Sequence, residues 1–141
     1  MTDRETVAAG LRQWARGMYA TEAAVELLIR AYDGRLLSGA WVHPEGDRWW
    51  FDADATADAG YLSGGELRVL DIAASLASTE QVVSLSHVLS GLDRATLNLV
   101  LAAVAHAGGS HEHHDTHFDL DAGTYTDHGP LPSAHPWPGE K

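Results

Sequence analysis

Apolar residues recur at helical spacing in four stretches of this chain, and a short alternating aromatic stretch interrupts them. Val7, Leu11, Trp14 and Met18 repeat every three or four positions, which predicts a helix over about residues 3–18. Thr2 and Glu5 have the spacing of a capping box at its start. Val25, Leu28, Ile29 and Tyr32 form one face of a second helix, with Thr21 as its expected cap and Asp33-Gly34 as its stop. Val69, Leu70, Ala73, Leu76 and Ala77 predict a third helix from Ser63 to about residue 76 or 78. Leu97, Val100, Leu101 and Val104 predict a last helix over about 93–107, halted by Gly108-Gly109. No formal charge falls between Arg94 and Glu112, so this helix is expected at the centre of the fold or in a subunit interface.

Between the second and third helices, Ala40-Trp41-Val42-His43 and Arg48-Trp49-Trp50-Phe51 flank the turn sequence Pro44-Glu45-Gly46-Asp47. That pattern predicts a β-hairpin at about 40–52, packed on the helices or added to another sheet. Residues 53–61 read as a loop. Residues 81–90 suit either a short strand from Val82 to Leu85 or a short helix after Ser84, and the helix is favoured. Beyond Gly109 the tail holds His, Asp, Thr and Gly, followed by Pro130, Pro132, Pro136 and Pro138. With so few aliphatic residues it is expected to be disordered or an extended arm. The reading is therefore mainly α with a small β-hairpin (α+β), about four helices around a central apolar one. Residues 1–109 form one domain, and 110–141 a tail rich in His, Asp and Pro.

Composition narrows the function. The chain has 141 residues, 45% of them hydrophobic, enough for one domain with a packed core. Cysteine is absent, which excludes disulfides, thiol catalysis and cysteine-ligated zinc. The N-terminus carries no basic stretch leading into an apolar one, and no uncharged run suits a membrane span, so a cytoplasmic location is expected. The net charge is −11, with eight arginines and a single lysine, Lys141. Such a surface repels phosphate backbones, so direct nucleic-acid binding is not expected. A basic protein partner suits it, although the acids are scattered and Asp52, Asp54 and Asp58 come nearest to a cluster. Arginine over lysine, with abundant Ala and Gly, suggests a GC-rich bacterial or phage genome.

Three constellations could carry chemistry. Leu62-Ser63-Gly64-Gly65-Glu66 and Ser90-Gly91-Leu92-Asp93 lie at the separation found in ABC-type ATPases. Together they resemble the signature-to-D-loop segment of that family over less than a quarter of the chain. The resemblance implies that Ser63, Gly64 and Gly65 would contact a nucleotide γ-phosphate and that Asp93 would be the D-loop aspartate. The family's Walker B carboxylates would fall at Ser86 and His87, and Lys141 cannot serve a P-loop. The resemblance thus implies at most a fragment that senses nucleotide held by another subunit, without hydrolysis. Ser63 and Glu66 also form a capping box, and Asp93 suits a helix cap, with no nucleotide involved.

Metal is the second candidate. His111, His113, His114 and His117 crowd the tail, and His113 and His117 would share a helical face, a spacing suited to Zn²⁺ or Ni²⁺. The third is aromatic: Trp41, Trp49, Trp50 and Phe51 concentrate contact area in the hairpin, and Trp is typical of interface hot spots. If the strand is regular, Trp49 and Trp50 face opposite ways. His87 and His106 read as isolated, hydrogen-bonded or helix-end histidines. No nucleophile with an oriented base is found, and no cofactor beyond the possible tail metal is expected. The functional expectation is a non-enzymatic interaction module, an adaptor, inhibitor or assembly factor that self-associates.

Overall fold

The computed structural model of the chain describes residues 3–57 and 59–140. Thr2, Asp58 and Lys141, which entered the expectations above, lie outside the described residues. Among the described residues the fold is mixed α+β, with five α-helices and two small antiparallel hairpins, about 53% helical. In chain order these are α1 (Arg4–Ala15), α2 (Tyr19–Arg30), β1 (Val42–Glu45), β2 (Arg48–Phe51), α3 (Gly64–Ala77), α4 (Leu85–Ser90), α5 (Arg94–Ala107), β3 (His114–Asp119) and β4 (Thr124–Pro130). Short 3-10 segments cover Ala31–Ser38, Ala53–Ala55 and Ser110–Glu112.

Local side-chain chemistry starts most of the helices. Asp3 accepts the Thr6 amide at 2.8 Å and begins α1. Ser63 Oγ accepts the Glu66 amide at 3.2 Å, and Glu66 Oε1 accepts the Ser63 amide at 2.9 Å, so the capping box of α3 is complete. Asp93 caps α5 by accepting the Thr96 amide at 2.7 Å. Thr21 does not cap α2; that helix begins two residues earlier, after Met18, without a side-chain cap. It gives way to the 3-10 segment, in which Tyr32, Asp33 and Gly34 all have left-handed backbone angles. The ambiguous stretch resolves as α4, helical from Leu85.

Ala23, Ala24, Val25, Leu27 and Leu28 of α2 have no solvent exposure, and α2 packs against α1, α3 and α5. The expected central position of the last helix is not what the fold shows. α5 lies against α2 on one side through Val100, Ala102 and Ala103 but leaves Leu97, Leu101 and Val104 exposed. Its apolar composition reported burial correctly for only half of its circumference.

The first hairpin pairs Val42 with Phe51 and His43 with Trp50, and β2 lies across α1. Gly10 makes that approach possible, because a Cβ there would sit 2.6 Å from Trp49 Cδ1. The second hairpin replaces the expected disordered or extended tail. Its turn carries the missed signal: Asp119 accepts the amides of Asp121 and Ala122 through its side chain and that of Gly123 through its carbonyl. β3 and β4 are exposed along almost their whole length. Residues 131–140 then return to the helices, where Trp137 is buried. Among the described residues, no helix is long and apolar enough to cross a membrane.

Candidate functional site

The return of the chain terminus creates a cleft of about 720 Å³ between α1, α2, the end of α5 and residues 132–140. Three of the chain's eight arginines, Arg12, Arg16 and Arg30, line it, a concentration of positive charge on an acidic protein. Glu26 holds two of them: Arg12 Nε and Arg30 Nε both donate to its carboxylate at 2.8 Å. Burial works to raise Glu26, but the hydrogen bonds from Arg12 and Arg30 outweigh it and keep the carboxyl below the ordinary glutamate range. Arg30 also reaches Glu140 at 3.3 Å and lies 4.7 Å from the centre of the Trp137 ring.

One wall of the cleft is made by Glu22, His106 and His111. α5 ends at Gly108-Gly109, where Gly109 takes φ 75°, a left-handed turn that folds His111 back over the helix end. The His106 and His111 rings stack with centroids 4.1 Å apart and planes 7° from parallel. Tyr19 packs edge-on against both rings. His106 Nε2 donates to Glu22 Oε1 at 2.9 Å, while Glu22 Oε2 accepts the Gly17 amide at 3.2 Å. Burial opposes ionisation of Glu22, yet these hydrogen bonds and the nearby imidazoles hold its carboxyl below the usual value. His111 Nδ1 is buried with no hydrogen-bond partner. Ligating atoms of the three residues all lie within 4.8 Å of one another, the one such group of three among the described residues.

The residues singled out by sequence fall elsewhere or separate. Of the four tail histidines, only His111 reaches the cleft. His114 pairs with Asp127 at 3.0 Å, His117 Nε2 meets Asp115 at 2.9 Å, and His113 is exposed. His117 also packs edge-on against His128. In the first hairpin, Trp41 is 1% exposed and donates its indole N–H to the Leu36 carbonyl at 2.9 Å, and Phe51 is 3% exposed. Those two are core residues and offer a partner no surface. Trp49 and Trp50 are half-buried on opposite faces, Trp49 against α1 and Trp50 beside His43. At the start of α3, the Ser63 side chain is committed to its cap, the Tyr32 hydroxyl lies over Gly65, and the Arg68 guanidinium lies beside Gly64. Ser86 and His87 are exposed on α4.

Sequence reasoning missed Glu22 and treated His106 as isolated. His106 and His111 are five residues apart across a diglycine, and that juxtaposition was the available signal. Glu22 is 84 positions from His106, and only the packing of α2 on α5 brings it there. No protein-family model, no curated protein and no solved structure matches this chain.

Proposed function

We propose that this chain is a small acidic interaction module, without catalysis of its own, that acts in the cytoplasm by pairing with a second copy of itself and binding a protein partner. One observation carries the reading: Leu97, Leu101 and Val104 are 36%, 46% and 58% exposed along a single stripe of α5. Residues at these spacings share one helical face, and a contiguous apolar stripe in water favours association. A second copy is the favoured occupant because of charge. Two chains of net charge −11 repel, and residues 95–111 contain no formally charged side chain. Pairing through α5 about a two-fold axis puts the neutral strip at the contact and the carboxylates away from it. Three side chains fall well short of the roughly 800 Å² per partner of a standard interface, so the pairing is weak and concentration-dependent.

The second hairpin supports the partner half of the reading. Phe118 and Tyr125 pack across the strands at 4.8 Å and are 49% and 77% exposed. Asp115, Asp119, Asp121 and Asp127 lie on the same hairpin and its turn, an acidic setting suited to a basic protein surface. Light scattering over a concentration series tests the pairing. Wild-type mass should rise above 15.1 kDa towards twice that value, while L101E should stay at 15.1 kDa. Identical behaviour of the two proteins would contradict the proposal.

A further inference from the structure

We propose that Glu22, His106 and His111 form a binding site for one divalent transition metal ion, Zn²⁺ being the best match, with the cleft supplying the open coordination position. The donor set is a carboxylate and two imidazoles, which suits zinc held by three protein ligands and a water. Glu22 Oε1 and His106 Nε2 are already 2.9 Å apart. Neighbouring donors around tetrahedral zinc with bonds near 2.0–2.1 Å stand about 3.3–3.4 Å apart, so these two need to part by only about half an ångström. The metal takes the place of the proton they now share. The Gly17 amide on Glu22 Oε2 fixes the carboxylate from behind, as the outer partners of metal ligands do.

His111 must move. A metal lies in the plane of each imidazole that binds it, and two rings stacked 4.1 Å apart and 7° from parallel share no such point. His111 is the ring able to turn. It sits on a three-residue 3-10 turn after Gly109, and its buried Nδ1 has no partner to lose. A buried nitrogen left unpaired is unfavourable, and ligation gives it a partner. The surrounding charge permits a cation, since Arg12 and Arg30 are already neutralised by Glu26 and Glu140. Arg16, also on the cleft wall, suits an anionic ligand in the fourth metal position.

Untagged full-length chain titrated with Zn²⁺ by calorimetry, with bound metal counted after dialysis, decides the matter. Wild type should bind one ion per chain. E22Q, H106A and H111A should each weaken that binding at least tenfold, with circular dichroism and melting of the metal-free proteins confirming folding. A variant with His113, His114, His117 and His128 all changed to Ala should retain the site. Co²⁺ should give a visible absorption band in wild type that H111A lacks. If H106A does not fold, H111A and the arm variant still decide. Binding that survives H111A, disappears in the arm variant or requires millimolar metal would overturn the proposal.

Discussion

Replacing Trp137 by Ala tests how the C-terminal return is held. Trp137 is 7% exposed, under Arg30 and 6.1 Å from the His106 ring. A buried tryptophan removes about 200 Å² from water, which at ~25 cal/mol per Å² gives an upper figure of about 5 kcal/mol. A compact unfolded state lowers this by roughly 10–40%, to about 3–4.5 kcal/mol. The segment is terminal, however, and can detach while the helices stay folded. The loss should therefore appear first as local opening, with a smaller change in global unfolding. Hydrogen exchange resolves the two, because the Ala134 amide donates to Ser110 Oγ at 2.7 Å only while the segment is docked. In W137A that amide should exchange about 100-fold faster, the equivalent of about 3 kcal/mol. Amides in α2 should lose less protection. Unchanged exchange at Ala134 would refute the idea that Trp137 anchors the return.

Two smaller tests concern caps and charge. Ser63→Ala removes the acceptor of the Glu66 amide and should lower stability by about 1 kcal/mol, roughly 3–4 °C in melting temperature. Mg-ATP should stabilise neither protein; a rise in wild type that S63A lacks would favour a nucleotide contact. Glu26, whose carboxyl is held below its ordinary value in the fold, contributes stability above about pH 4.5 that is lost as pH falls through the depressed value. E26Q should accordingly be the less stable protein at pH 7, and the two stability curves should converge in acid. Parallel curves would contradict this.

Much of the fold was legible because local rules and tertiary packing agree. The cap at Ser63 and the apolar period through Leu70, Ala73 and Ala77 both place α3, and Asp93 with Leu97 and Val100 places α5. What periodicity could not supply was which side of a largely apolar helix meets the core. Leu101 and Ala102 are both apolar, yet the packing of α2 on α5 leaves Leu101 exposed and Ala102 covered. The tail was misjudged by composition. Backbone pairing and an Asp119-centred turn order it without a large aliphatic core, and one Trp fastens its end. The cleft was illegible for a different reason. Its acid and its imidazoles come from opposite ends of the chain, joined by packing that no local spacing encodes.

The pairing proposal can be read directly because the chain contains no cysteine. Leu101 lies at the middle of the exposed stripe, so in a two-fold pairing each copy of residue 101 faces the other across the axis. Under mild oxidation, L101C should form a disulfide-linked dimer rapidly, whereas V82C, off that helix and more exposed (88% against 46%), should form it only slowly. Equal, slow cross-linking at both positions would contradict pairing through α5.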